Sequence, residues 1–518
     1  MELKEKVLIN LKQLYRIFGK QENTAIKQWQ QNLKTTQLNG KKVLVSVLRN
    51  GTWIEWGLYS GCVIRQKGYQ PIFLYQKSEI EKFYGINSYF WKKAQQIPDS
   101  IFIDIDQFVD KAFNLDSNEL PLYIIDAIAY DFHVEREDVL VGNKKYQKSI
   151  AKLMFESNAA AKALIYAVET YEIDRFFCYS GLIGITPTLL QKANERNLLT
   201  ICLEGWAWKK GHVIYNFNRP ALEYNILAWM KYYGWDKEKE ETINEYLAFQ
   251  DGTVNASDIK WLKGFYNVQQ SKTGDPIDQN ILDFTNKYKK SFLLAPNVIG
   301  DSSTLNRETI FKSQREWIKE IVEYFRNNKH ISLIIRAHPA EVWVSNKVVL
   351  KLGDYAEKLA EGVENILVIR SEQKVNTFAL ITSIKCGLIW LSSVGVDLVA
   401  RNIPIVCAAS AKYDDIGIMD IPKTKAEYFT MLENIGKTQS TSTSTNQKLA
   451  AKKYLYTVFR GFSFPAQGET YSAQSLRINK MPHQSEHEDF YDIILGEMAR
   501  PDEDYITNGT INHQQIKY

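Results

Sequence analysis

Long apolar runs are missing from this sequence. Nowhere do about 18 apolar residues follow one another, so nothing in it reads as a membrane-spanning helix. Cysteine is scarce, with 5 in 518 residues. Cys62, Cys178, Cys202, Cys386 and Cys407 stand singly and never as CxxC, which argues against a thiolate zinc site and reads as reduced core thiols of a cytoplasmic protein. An excess of one charge is also missing. The 64 basic and 60 acidic residues are spread along the chain, leaving +4 and no nucleic-acid footprint. Walker A, GxGxxG and HExxH patterns are absent, which weakens the NTPase, dinucleotide-oxidoreductase and zinc-protease readings. The opening "MELKEKVLINLKQLYRIFGKQ" mixes acids with its lysines and does not read as a signal peptide.

What is present is aromatic and organised. Aromatic residues make up 13%, including 29 Tyr and 12 Trp, a content that suits carbohydrate contact and equally suits core packing. A chain of 518 residues exceeds one ordinary core, so two domains are expected. In the first half, "KKVLVSVL", a helix-like segment and "PIFLY" form a βαβ unit, and "IDRFFCYSG" and "LLTICLEG" add further strands. In the second half, "SFLLAPNV", "ISLIIRAHP", "NILVIRS", "CGLIWLSS" and "IPIVCAA" are buried-type strands separated by amphipathic stretches such as "REWIKEIVEYFRN". The fold class that follows is α/β, with two doubly wound, Rossmann-like domains facing a cleft. The turn-rich "SKTGDPIDQN" marks the expected boundary between them, "TQSTSTSTNQK" reads as a surface loop, and the residues after Met481 read as a polar tail.

Open α/β sheets bind ligands beyond the carboxyl ends of their strands. In "LIWLSSVGVDLVARNIPIVCA", Ser392, Ser393 and Gly395 fall where a strand ends and a helix begins, so they suit a phosphate cradle, although Ser393 could equally be a helix cap. The neighbouring strand ends carry Arg336 and His338 in "IIRAHPAE", and Asn297 and Asp301 in "APNVIGDSS". Cationic and hydrogen-bonding groups gathered on one sheet edge suit a nucleotide phosphate. Asp397, in the first helical turn, is explained by the helix dipole or by hydrogen bonds from ribose hydroxyls. Two metal patterns compete. Asp104 and Asp106 form a DxD expected on one strand face, and His483 and His487 have helical spacing in the polar tail. Both are read as solvated, with no metal site.

The order "IIRAHPAE", "VNTFALITSIKCGLIWLSSVGVDLVARNIPIVCAA", "AKYDDIG" and "YLYTVFRGFSFP" resembles bacterial capsule-polysaccharide biosynthesis glycosyltransferases of the GT-B fold. Asn402-Ile403-Pro404 stands where that family has Gly-Lys-Pro, and Asp397 where Glu is commoner. The resemblance implies a metal-independent transfer from a nucleotide sugar to a glycan or glycolipid acceptor, with no cofactor beyond that co-substrate. It divides the chain into a helical lead (1–40), an acceptor domain (41–280), a nucleotide-sugar domain (281–430), closing helices (431–480) and the tail (481–518). His338 and Arg336 then face the phosphate, Ser392, Ser393 and Gly395 hold it, and Asp397 takes the ribose. Glu204 is the first choice of general base, Glu55 the second and His212 the third. Cytoplasmic residence, with peripheral association at the inner membrane face left open, completes the expectation. Two alternatives remain: a nucleotide-sugar 2-epimerase-like enzyme, and a non-catalytic glycan- or nucleotide-binding protein.

Overall fold

The apolar runs form two sheets in the computed structural model, which describes residues 33, 36–48, 51–85, 89–109, 121–141, 144–205, 212–255, 259, 261, 278–288, 290–344, 350–373, 375–438, 441–461, 464–465 and 495. The chain divides into two compact units. The first comprises residues 1–124, 148–224 and 463–518, and the second residues 125–147 and 225–462.

In the first unit, β1 (Lys42–Val47), β2 (Gln70–Tyr75), β3 (Ile101–Asp104), β4 (Ile173–Tyr179) and β5 (Leu199–Gly205) lie parallel in the order β5-β4-β1-β2-β3. Strands buried on both faces need apolar residues at nearly every position, which is why "KVLVSV" and "QPIFLY" show no alternation. The helix Gly51–Gln66 runs close against this sheet. A Cβ at Gly57 would stand 2.4 Å from the Ser46 carbonyl oxygen, and one at Gly61 would stand 2.2 Å from the Phe73 ring, so only glycine permits that approach. β6 (His212–Phe217) adds antiparallel to β5, and β12 (Phe464–Pro465) adds antiparallel to β6. Neither of these antiparallel strands is apparent from the sequence.

In the second unit, β7 (Ser291–Ala295), β8 (Leu333–Arg336), β9 (Ile366–Ile369), β10 (Ile384–Ile389) and β11 (Ile405–Cys407) form a parallel sheet in the order β11-β10-β7-β8-β9. Ser313 caps the helix Gln314–Asn327 by accepting the Glu316 N–H, and that helix buries Trp317, Ile318, Ile321, Val322 and Phe325. Both sheets are therefore doubly wound and Rossmann-like, each reversing its strand order once: between β1 and β4 in the first, between β7 and β10 in the second.

The stretch near residue 280 lies within the second unit, and the chain passes from one unit to the other at Tyr224–Asn225 instead. The helix Lys237–Gln250 is tied to the second unit by Arg401, which reaches the Leu247 carbonyl. Residues 125–147 also belong to that unit. Arg315 pairs there with Glu135 and Asp138, and Arg136 with Asp126 and Glu308. The expected loop at Thr438–Lys448 ends earlier, because Ser444 and Gln447 form a capping box that opens the helix Thr445–Tyr456. The expected lead at 1–40 and the tail lie largely outside the described residues, as do His483 and His487. Among the described residues, no helix is long and apolar enough to cross a membrane, and all five cysteines are buried and free.

Candidate functional site

Asn297 joins the two strands at the switch point of the second sheet. Just past β7, its Oδ1 accepts the Leu391 N–H at 3.2 Å, just past β10, while its own N–H donates to Gln314 Oε1 at 2.8 Å. The next residues are Ser392 and Ser393, both half-buried. The Ser392 carbonyl accepts from Gly395 N at 3.0 Å and from the Tyr413 hydroxyl at 2.7 Å. Ser393 has helical φ and ψ, and its side chain makes no cap bond. The helix-cap explanation therefore does not apply, and neither serine hydroxyl has a hydrogen-bond partner among the described residues.

β8 brings the next pair. The Nδ1 of His338 accepts the Ala340 N–H at 3.1 Å, which places the proton of the neutral ring on Nε2. Burial lowers the His338 pKa; Asp301 opposes that shift and Arg336 adds to it. Asp301 caps the turn Ser302–Thr304 by accepting the Ser303 N–H at 2.7 Å.

Arg336 differs from expectation. Its guanidinium is buried and donates to the carbonyls of Arg370, Gln373 and Val375 at 2.5, 3.2 and 3.4 Å. A buried cation must be satisfied locally, and here the segment after β9 supplies the acceptors. Burial also pushes its pKa down to about 10.

Gly395 and Asp397 also face inward. A Cβ on Gly395 would stand 2.9 Å from the Tyr413 hydroxyl and 3.1 Å from Ile405 Cδ1, so close packing on β11 requires the glycine. The Asp397 side chain is buried 3.9 Å from the Arg401 guanidinium. Burial pushes its carboxyl up to about 7, against the effects of Arg401, Gln250 and Tyr246. These neighbours lie on the helix Lys237–Gln250 and at the end of Asp397's own helix, Val394–Ala400, not at the strand ends.

In the first unit, the switch-point strand β4 ends in Tyr179, whose N–H donates to Ser46 Oγ at 3.3 Å. Trp53 and Trp56 pack on the Tyr179 ring, with centroids 6.1 and 5.9 Å away. Ser180 follows at φ 57°, a backbone conformation uncommon for a residue with a side chain. Glu204, half-buried near the carboxyl end of β5, stands opposite Ile214 of β6, on the face that also carries Cys202. For Glu55 and His212 only the backbone is described, within the helix Gly51–Gln66 and as the first residue of β6. The sequence reading valued "GTWIEWG" for its acid and missed its two tryptophans.

The DxD expectation is corrected. Asp104 ends β3, but Asp106 lies in the 3-10 turn that follows. Asp104 Oδ1 accepts from the N–H groups of Lys77 and Asp106, and Asp106 accepts from Ser78, so both cap backbone groups. No group of three or more His, Cys, Asp or Glu among the described residues could hold a metal ion.

Residues 243–456 match the family described as Capsule polysaccharide biosynthesis protein. No curated protein matches the chain. Among solved structures, it is similar to the beta Kdo 2,4 transferase KpsC of Thermosulfurimonas dismutans, with 16% identity over 54% of this chain and 79% of that one and a TM-score of 0.34. A glycosyltransferase from Rickettsia africae shares 11% identity over 89% and 100% of the two chains, with a TM-score of 0.29. The UDP-GlcNAc 2-epimerase from Neisseria meningitidis, bound to UDP-GlcNAc, shares 9% over 81% and 97%, with a TM-score of 0.26. At such scores the likeness is loose.

Proposed function

We propose that this chain, whose residues 243–456 match the capsule polysaccharide biosynthesis protein family, is a glycosyltransferase that moves a sugar from a nucleotide donor to a glycan or glycolipid acceptor. The observation that carries this reading is a trio of donors at the strand ends of the second sheet that have no partner among the described residues: the Nε2–H of His338 and the hydroxyls of Ser392 and Ser393. As the bond from sugar to nucleotide breaks, negative charge grows on the departing phosphate. Preorganised hydrogen-bond donors aimed at that charge lower the barrier. In this reading His338 and the serines bind the phosphate, while Arg336 keeps the neighbouring segment in place from behind. The family match and the Rossmann-like sheet support a nucleotide sugar as co-substrate, and no step invokes a metal or a further cofactor.

Transfer also needs a group to take the proton of the attacking hydroxyl. Glu204, at a strand end in the first unit, is assigned that role, with Glu55 and His212 as the remaining choices.

The test is a thermal-shift series on the purified chain with UDP, CMP, GDP and their sugar conjugates. A ligand at about 100 times its Kd adds roughly 2.7 kcal/mol of apparent stability, which is readily seen. A shift with one nucleotide, lost in His338→Ala and in Ser393→Ala, is the expected result. No shift with any of them overturns the assignment of the donor pocket.

A further inference from the structure

Arg401 directly follows the helix Val394–Ala400, which Ser392 and Ser393 precede. Its buried guanidinium reaches several elements of the second unit. Nη1 donates to the Asp397 carbonyl at 3.1 Å, Nη2 to the Leu247 carbonyl and to Gln250 Oε1 at 2.9 Å each, and Nε to Asp251 Oδ1 at 2.9 Å. The guanidinium carbon also sits 4.7 Å from the centroid of the Phe378 ring. Asp397 and Leu247 lie in the last turns of two different helices, Val394–Ala400 and Lys237–Gln250, so one cation reaches a last-turn carbonyl at both C-termini, where positive charge is favoured. Asn376 extends the network. Its Nδ2 donates to the Gln250 carbonyl at 3.0 Å, and its Oδ1 accepts the Phe378 N–H at 3.0 Å.

A helix of 7 residues is too short to keep its own position, so its ends must be fixed by neighbours. The near end is fixed by the Tyr413 hydroxyl on the Ser392 carbonyl, and the far end by Arg401. We propose that Arg401 is a positioning residue for the donor site: by locking this helix to the end of Lys237–Gln250, it sets where the Ser392 and Ser393 hydroxyls stand. The inference rests on the donor-site reading above. Lysine cannot replace the guanidinium here, because a point charge cannot reach four acceptors in a fork.

The experiment measures, on the full chain, the affinity for whichever nucleotide shifts the wild type, in Arg401→Lys, Asp251→Asn and Ser393→Ala. Arg401→Lys is expected to weaken nucleotide binding at least about tenfold, as loss of a buried fork should. Asp251→Asn, which leaves the cation and its carbonyl bonds in place, is expected to weaken it about two- to threefold. In transfer assays the loss should appear in the donor KM, with the acceptor KM unchanged. A purely structural role lowers the unfolding midpoint without that split. Wild-type affinity in a folded Arg401→Lys protein, or in Asp251→Asn if Arg401→Lys does not fold, overturns the proposal. If Ser393→Ala still loses affinity in that case, the donor site stands and only the positioning role falls. If the wild type binds none of the nucleotides, both fall together.

Discussion

Asn297 Oδ1 accepts the Leu391 N–H at 3.2 Å, linking the ends of β7 and β10 where the strand order of the second sheet reverses. Through this bond, one side chain ties the two stretches of chain together just past the last paired residues, Ala295 and Ile389, beside which Ser392 and Ser393 stand. Replacing Asn297 with alanine removes an acceptor for a part-buried N–H, a change expected to cost about 1 kcal/mol. Asn297→Asp keeps an oxygen acceptor in place. Urea unfolding and nucleotide thermal shift should both fall in Asn297→Ala, and recover in part in Asn297→Asp. Equal nucleotide affinity in wild type and Asn297→Ala would show that the bond has no bearing on the site.

The buried carboxyl of Asp397 gives stability a pH dependence whose sign can be derived. Its folded pKa is raised from 3.8 to about 7, so across that interval the folded chain holds a proton that the unfolded chain has lost. The unfolded state then binds fewer protons, and this residue's contribution to stability falls as pH rises from about 4 to about 7, with no further change above. Asp397→Asn cannot ionise and escapes that fall. Relative to wild type, the variant should therefore gain stability between pH 5 and pH 8, read as unfolding midpoints at matched ionic strength. A constant difference across that range would mean that Asp397 is ionised throughout.

Asp104 and Asp106 are expected to behave as capping residues. Each accepts backbone N–H groups from the segment that opens the helix Lys77–Tyr84, and losing such a cap typically costs about 1 kcal/mol. Asp104→Ala and Asp106→Ala should lower the unfolding midpoint and leave nucleotide binding unchanged, and transfer should continue in EDTA. Loss of transfer in EDTA, restored by a divalent cation in the wild type but not in these variants, would return the pair to a metal-binding role.

Parallel strands were legible because burial on both faces leaves a signature that single residues cannot blur, as in "SFLLA" and "ILVI". The strand β6 escaped because "HVIYNF" pairs antiparallel and carries polar residues among its apolar ones. The strand ends that gather the site were visible too, but the direction in which a side chain turns was not. Arg336 and His338 are two residues apart, yet the first is turned onto the carbonyls after β9, while the second keeps an Nε2 with no partner among the described residues. Long-range pairing was equally hidden. Arg315 meets Glu135 across 180 residues of sequence, and no local pattern announces that residues 125–147 complete the second unit.

Glu204→Gln separates chemistry from binding. The carboxylate stands near the carboxyl end of β5 and belongs to the first unit, whereas the proposed phosphate donors belong to the second. Glutamine preserves size and one oxygen but cannot take a proton at neutral pH. A general base contributes about 10²- to 10⁴-fold, so kcat should fall by that range while the donor-induced thermal shift is retained. Wild-type turnover in Glu204→Gln would pass the role to Glu55 or His212, and the same pair of measurements on Glu55→Gln and His212→Gln would then decide between them.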